Sequence, residues 1–562
     1  MSGKHSAHSD GTGYEDRPSE FAGQIVSVTE RTITPGVLHI HKGRIAQIEP
    51  RADVPDRFLI PGFVDAHIHV ESTMLPPAEF ARWAVTQGTV ATISDPHEIA
   101  NVLGTAGVEY MLDEAARRPE FTILFGAPSC VPATTFETAG AALDAAAVER
   151  LLARPEIGYL SEVMNVPGVL NGDEELLAKL RAARRAGKPI DGHAPGLRGA
   201  AVHRYAAAGV ATDHECVTIE EARDRLEAGM WVMIREGSAA KDFEALAPLL
   251  FEAPERLMFC SDDKHPNDLM RGHIDRLAAR AIALGLDPIQ ALRIACLHPV
   301  LHYRLETGLL RPGDRADFVV VDNLSELTPL ATYLGGVCVA AEGAPRWSYA
   351  APETPNIFRA GPVTEDALQI AMASAGSVRA IELYDGKLIT GEHVVSSADC
   401  AGEGRFRCNT TLDLLKIAVV NRYLETPPAL AVVHGFGLKR GAVASSVAHD
   451  SHNVVAIGAE DDALAAAVNA VIEAGGGVAV ATGASEVELL RLPIAGLMAT
   501  EPGDEVAALY ERLDTAAQEL GSPLRSPLMT LSFLALLVIP KLKLSDRGLF
   551  DGESFAFVDL VR

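Results

Sequence analysis

Apolar and polar positions run along this chain in three rhythms. Near the start, "GQIVSVTERTITPGVLHIHKGRIAQIEP" alternates with period two and breaks at turn residues, which predicts short strands. The same rhythm returns in "GLLRPGDRADFVVVDNLSELTPLATYLGGVCVAAEG", Gly308–Gly343. Between these blocks lie eight compact apolar runs: "RFLIPGFVDAH", "GTVATISDPH", "FTILFGAP", "EIGYLSEV", "KPIDGHA", "GVATDHE", "MWVMIRE" and "RLMFCSDD". Each is followed by a segment rich in Ala, Leu, Arg and Glu with helical spacing. Eight strand–helix units in about 240 residues match the length of a (β/α)8 barrel. The expected α/β architecture is therefore a TIM-like barrel over 58–307 and a small β-sandwich assembled from 21–57 and 308–350. A Pro/Gly-rich linker over 351–366 leads to a C-terminal α/β (α+β) domain over 367–562, with strand-like "NVVAIGAE" and "GGVAVATG" among Ala-rich helices. Residues 1–20 are polar, lack an apolar h-region, and read as a floppy lead-in without a signal peptide. The late run "LMTLSFLALLVIPKLKLS" is cut by Ser532, Pro540 and Lys541, which makes it a buried helix or strand and no membrane span.

The ends of the eight runs change the picture from architecture to chemistry. Residues at the C-terminal ends of barrel strands converge on one mouth. There the chain places His67 and His69, His97, Glu162, His193, His214 and Asp262. Side-chain period two turns both imidazoles of His67-Ile68-His69 to the barrel interior. Any one of these histidines alone would read as a hydrogen-bonded strand end; their joint placement reads as a metal centre. Imidazole and carboxylate together suit Zn, Mn or Fe, and a carboxylate between two ions can bridge them. The same spacing at His39-Ile40-His41 lies in the first β block, away from any barrel strand end, and should share a face of the small sheet without binding metal.

Composition narrows the partners. With 75 acidic and 49 basic residues the net charge is −26, which argues against a nucleic-acid surface. Seven scattered cysteines without a C-x-x-C pair suit reduced thiols in a cytoplasm.

The opening Pro61–His69 matches P-G-x-x-D-x-H-x-H, and with the later His193, His214 and Asp262 the chain resembles the amidohydrolase superfamily. That resemblance implies a mono- or binuclear metal site that activates water. Many members bridge two metals with a carboxylated lysine after strand four. Here "GYLSEVMN" has no lysine, so Glu162 would be the bridge. Together with "HVEST", "SDPHEIANVLG", "SEVMN", "GHAPGL", "DHE", "IREGSAAK", "CSDDK", "AHDSHNVVAIG" and "LPIAGLM", the chain is similar to the bacterial adenine deaminases from the first β block to near its C-terminus.

This resemblance implies hydrolysis of adenine to hypoxanthine and ammonia, with two divalent ions, Mn2+ or Fe2+ preferred and Zn2+ the alternative. His67 and His69 would hold one ion and His193 and His214 the other. Glu162 would bridge, and Asp262 would be a ligand that takes the proton of the attacking water. Asp263 would orient the purine or share proton transfer. Candidate purine contacts are Glu71, Ser72, His97, Glu98, Arg235 and Glu236; Arg235 reads equally as a structural ion pair, and His97 also as an extra metal ligand or a proton shuttle, with shuttle or purine contact preferred. In "VAHDSHNV", His449, Asp450 and His452 carry only a weak metal signal, and a satisfied loop network is the commoner outcome; the resemblance suggests a segment over the barrel mouth. The expected partner is a small purine base, in a homodimer, with neither nucleic acid nor membrane. The rival readings are a cyclic-amide hydrolase of the dihydroorotase or hydantoinase kind, a deaminase of another aminopurine, and a metal-binding scaffold without turnover. His69-Val70-Glu71 imitates the H-x-E of the zinc nucleobase deaminases, but no P-C-x-x-C follows.

Overall fold

The computed structural model describes residues 19–372 and 375–562; most of the expected lead-in, residues 1–18, lies outside them. Ser19 and Glu20, assigned to that lead-in from sequence, already belong to the first strand, Ser19–Ser27.

The eight apolar runs supply the eight strands of a parallel barrel. These are β1 (Phe63–Ile68), β2 (Thr89–Ser94), β3 (Thr122–Ala127), β4 (Ile157–Val163), β5 (Ile190–Gly192), β6 (Thr212–Asp213), β7 (Trp231–Arg235) and β8 (Leu257–Cys260). Strands β1 to β5 pair in order, as do β6 to β8. The seam between β5 and β6 is held by the Ala211 N–H donating to the Ile190 carbonyl at 2.8 Å. The barrel closes where Asp262 N–H donates to the His67 carbonyl (2.9 Å) and His69 N–H to the Asp262 carbonyl (3.2 Å). Closure thus brings the β1 histidines directly beside the β8 aspartate.

The first run is two strands. Phe58–Pro61 leaves the barrel and pairs with Phe318–Val321 and Ser19–Ser27 in the small sheet. Gly62 makes the corner: a Cβ there would lie 2.3 Å from the Val90 side chain, so only glycine permits the approach. That sheet has eight strands, with the segments flanking the barrel meeting at Phe58–Pro61. Its own core gathers Ile25, Leu38, Ile40, Leu59 and Phe318.

The C-terminal part is built on a second eight-stranded sheet running from Gly391–Ser396 at one edge to Glu486–Arg491 at the other. The central strand Leu414–Val420 is buried on both faces and apolar at every position but Lys416, which pairs with Asp461. Ala418 and Val420 pack under the helix Asp461–Ala474. Leu415, Ile417 and Val419 face the other way, into a core shared with Val506 and Tyr510 of the helix Gly503–Glu519 and with Val70, Leu75 and Phe80 of the barrel. Backbone contacts tie the halves together: Ala499 N–H donates to the Met74 carbonyl and Gly503 N–H to the Glu79 carboxylate, both at 2.8 Å. The segment 351–364 has no regular structure but is strapped to the C-terminal part, where Arg422 donates to the Ile357 carbonyl. The late apolar run forms the short helix Pro527–Ser532, a series of turns, and the strand Leu542–Ser545. No helix among the described residues is long and apolar enough to cross a membrane.

Candidate active site

The C-terminal ends of β1, β4, β5, β6 and β8 meet in one buried cluster. Glu162, at the end of β4, stands at its centre. Its Oε1 lies 2.7 Å from His67 Nε2, 3.1 Å from His69 Nε2 and 3.5 Å from His214 Nε2; its Oε2 lies 3.2 Å from His193 Nδ1. Asp262 Oδ1 approaches His69 Nε2 at 3.2 Å and His67 Nε2 at 3.6 Å. Two donor sets therefore share Glu162: His67, His69, Glu162 and Asp262 on one side, and Glu162, His193 and His214 on the other. Within each set the donor atoms lie within 4.8 Å of one another. A third set of His69, Asp95, His97 and Glu162 puts His97 within the same reach.

The surroundings hold these side chains in place. His69 Nδ1 donates to the Asp95 carbonyl at 3.1 Å, which fixes the tautomer and leaves Nε2 as the free donor atom. Asp65, the acid of the D-x-H-x-H motif, points away from the cluster. It accepts from Ser261 N–H at 3.0 Å and from His273 Nε2 at 2.7 Å, and so fastens β1 to β8. Arg235 at the end of β7 is fully buried among carboxylates: its NH1 donates to Asp262 Oδ2 at 2.9 Å and to Glu215, and its Nε to Asp242 at 2.9 Å.

Electrostatics follow from that crowding. Burial pulls His67 down, but the Glu162 and Asp262 carboxylates prevail and raise it to about 10. His193 is likewise raised, to about 9, with Glu215 and Glu162 overcoming burial. His214 goes the other way, to about 4, through burial and the His67 ring stacked on it at 4.1 Å. Burial pushes the Asp262 carboxyl up, yet His67, His69 and Arg235 hold it well below the usual carboxylate range. Its neighbour Asp263 is raised by burial and by Asp262. The same field that favours protonated imidazoles favours a bound cation. Glu162 Oε1 and both ring nitrogens of His193 are buried without a hydrogen-bond partner, and a donor set of imidazoles and carboxylates pointing at common centres fits divalent metal ions.

Above the cluster lies a void of about 390 Å³. Its barrel side is formed by the rim and Asp263; its roof comes from the C-terminal part, with Leu388, His449, Asp450, Phe533, Leu536 and Ile539. A larger void of about 1310 Å³ adjoins it, sharing Glu215, Leu388, Val538 and Ile539, and leads outward between the two halves.

The expected site residues divide accordingly. His67, His69, Glu162, His193, His214 and Asp262 come together at the strand ends, and His97, Glu98 and Asp263 face the void. Ser72 stands behind, donating to Asp263 Oδ1 at 2.5 Å. Glu71, Arg235 and Glu236 stand outside the inner void, and Arg235 lines the outer one. Glu71 accepts from Ile99 N–H at 3.2 Å and caps the helix His97–Leu103. Arg235 spends its donors on the three carboxylates, the structural alternative raised from sequence. Glu236 turns to Arg280 at 2.6 Å. Sequence reasoning missed Glu215, which lies 3.5 Å from His214 and 3.7 Å from His193; its place after His214 in "DHE" was the available signal. It also missed Asp95, whose Oδ2 accepts from His97 Nδ1 at 2.9 Å, and the Asp65–His273 pair. Asp450 joins His97 and Glu98 in a further group whose donor atoms lie within 4.8 Å of one another. His449 Nδ1 lies 2.5 Å from Glu98 Oε1, His452 pairs with the other Glu98 oxygen, and the His449 ring stacks on Phe533 at 4.6 Å.

Comparison with known proteins agrees with this geometry. The chain is 57% identical to the adenine deaminase of Salinibacter ruber over 546 residues, covering 96% of this chain and 99% of that protein. The chain belongs to the adenine deaminase family. It is also 53% identical to the adenine deaminase of a Sulfurovum species, over 97% of this chain and 100% of that one. The amidohydrolase family model matches residues 58–353, and the adenine deaminase C-terminal domain model matches residues 387–556. Among solved structures the likeness is weaker. A molinate hydrolase shares 16% identity with a TM-score of 0.45 over 62% of this chain, and an enamidase 16% with 0.43 over 59%. The match thus extends past the barrel to the half of the chain that roofs it.

Proposed function

We propose that this chain converts adenine and water to hypoxanthine and ammonia. One observation carries the reading: four histidines and two carboxylates meet beneath a void roofed by the C-terminal part, in a chain 57% identical to an adenine deaminase across nearly its whole length. His67, His69 and Asp262 would hold one divalent cation, His193 and His214 a second, with Glu162 between them. Mn2+ or Fe2+ is the preferred pair and Zn2+ the alternative, since all three accept imidazole with carboxylate. When bound, such ions make water acidic enough to serve as a nucleophile at neutral pH.

The rest of the chemistry belongs to the side chains. Arg235 fixes one oxygen of Asp262 and keeps the carboxyl ionised, so that Oδ1, beside His67 and His69, takes the proton of the attacking water. The water oxygen bonds to C6, the bond from C6 to the exocyclic nitrogen breaks, and the proton leaves with that nitrogen as ammonia. Asp262 and Asp263 are neighbours pushed apart in acidity, the pattern of a base beside an acid. Asp263, anchored by Ser72, serves as the donor to the purine ring. His97, held by Asp95 with Nε2 free, passes protons or contacts the base, and Glu98 with His449 sets the roof over it.

Ammonia release from adenine, other aminopurines and adenosine, measured beside metal content, tests the reading. Asp262→Asn should lower kcat on the order of 10²- to 10⁴-fold, the usual worth of a positioned base. Fewer than one metal per chain together with no ammonia from any purine overturns the proposal. Ring opening of hydantoins or dihydroorotate would favour the rival cyclic-amide hydrolase, against which the missing lysine in "GYLSEVMN" counts. All seven cysteines are free, which supports the cytoplasm as the compartment. A homodimer belongs to the same reading and is checked by sedimentation of the native enzyme.

A further inference from the structure

A second histidine–carboxylate cluster lies in the C-terminal sheet, separate from the barrel. Three adjacent strands build it: Gly391–Ser396, Ser377–Glu382 and Ala429–His434. Register decides which side chains share a face. His393 pairs with Ala380 across one antiparallel ladder, and Glu382 pairs with His434 across a parallel one. Paired residues and residues two apart project the same way, so His393, Ala380, Glu382 and His434 all stand on one face. Ala380 on the middle strand carries only a methyl group. The two imidazoles meet there, stacked at 4.1 Å with planes 12° apart.

Three features distinguish this from an ordinary polar surface. Glu382, His393 and His434 each bring a donor atom, and these lie within 4.8 Å of one another. His434 Nδ1 is buried without a hydrogen-bond partner. Among the described residues, no lysine or arginine stands within ion-pair distance of Glu382, although its strand neighbour Glu392 is met by Arg379, Lys541 and Arg562. The Glu382 carboxylate is instead oriented by Tyr384, whose O–H donates to Oε2 at 2.9 Å. A hydrogen bond behind a carboxylate is the usual support for a metal ligand. Asp413 adds negative field beside His434.

We propose that Glu382, His393 and His434 form a transition-metal site independent of the barrel centre, taking one Zn2+ or a similar imidazole-preferring divalent ion. Two imidazoles and one carboxylate exclude Ca2+ and Mg2+ as preferred occupants, because those ions select all-oxygen shells. The three ligands leave a coordination position open to solvent, and the ion would brace three strands of the sheet edge. Its neutralising charge would replace the cation that Glu382 otherwise lacks.

The test is zinc uptake by the intact enzyme already loaded with its barrel metals, read by equilibrium dialysis against ZnCl2 with elemental analysis. Wild type should take up one zinc per chain beyond its resident metals at micromolar zinc. His393→Ala and His434→Ala should each lose that one equivalent while keeping the resident metals and the ammonia-release rate. Tyr384→Phe, which leaves all three ligands in place, should weaken the extra zinc about 10-fold or more. If a histidine variant fails to fold, Tyr384→Phe and Glu382→Gln keep the question open to the same readout. Equal extra zinc in wild type and in these variants overturns the proposal, as does wild type that takes up none.

Discussion

The chain writes H-x-H twice, and the two copies meet opposite fates. His39 and His41 sit on the strand Thr32–His41 of the small sheet; His67 and His69 end β1 of the barrel. In both, period two turns the imidazoles to one face and buries the isoleucine between them on the other. What differs is what that face meets. His39 reaches Glu49 at 2.9 Å and Glu20 at 3.3 Å, with its side chain 27% exposed, and His41 points into solvent. His67 and His69 are buried against a carboxylate from β4, another from β8 and an imidazole from β6. A surface carboxylate beside a histidine makes a weak, screened pair, whereas several buried ones around several imidazoles make a place where a cation is needed.

The difference is sharpest at Glu162, which has no counterpart near His39. Glu162→Gln removes the charge that all four imidazoles face. The remaining buried groups are then poorly compensated, a loss on the order of 3–5 kcal/mol in comparable buried ionic clusters. Ammonia release should fall roughly 10³-fold, with metal content dropping alongside it, and elemental analysis with a steady-state assay checks both. An enzyme that retained its metals and rate would put Glu162 on the level of Glu49.

A second contrast lies within the active site, between its floor and its roof. The floor was legible in the sequence because every ligand stands at a strand end, and the barrel geometry carries those ends to one rim whatever the loops do. Arg235 and Glu71 were visible, but their partners were not: residue type announces charge, while partners such as Glu215 and Ile99 are set by packing. The break at Pro61-Gly62 was visible, but it gave no sign that Pro61 and Phe63 belong to different sheets. The roof was suggested only by the resemblance, which put the segment of His449, Asp450 and His452 over the barrel mouth. His449 meets Glu98 across 351 residues of sequence, a contact that no periodicity predicts. Asp450→Asn tests whether the roof takes part in the chemistry. It should lower kcat/KM by roughly 10- to 100-fold, as loss of a supporting group does, with the resident metals unchanged. Full activity in that variant would leave the roof as packing alone.

The junction of floor and roof also carries a titration. Glu137 accepts from Thr134 at 3.0 Å, and burial together with Asp450 raises its carboxyl to about 8. The native chain therefore keeps a proton there that the unfolded chain releases near the ordinary value of 4.5. This contribution to stability is complete below that ordinary value and is lost as pH rises toward and through about 8. Glu137→Gln cannot release the proton. Denaturation midpoints compared between mildly acidic and mildly alkaline buffer should fall less in the variant than in wild type. An equal fall in both would show that the junction does not titrate.

The smallest effect belongs to the first H-x-H itself. Replacing both His39 and His41 by alanine removes two exposed imidazoles and the pairs that His39 makes with Glu20 and Glu49. Such surface pairs are worth about 0.2–1 kcal/mol each, and they weaken as salt screens them. The variant should keep its resident metals and its rate of ammonia release, with a thermal midpoint lowered by no more than a few degrees and less at high salt. Were metal to be lost, the spacing alone would have to be credited with a binding role in both places. Its retention assigns that role to what the face meets, which in the barrel is buried Glu162 and Asp262 and in the small sheet is solvent with the exposed Glu20 and Glu49.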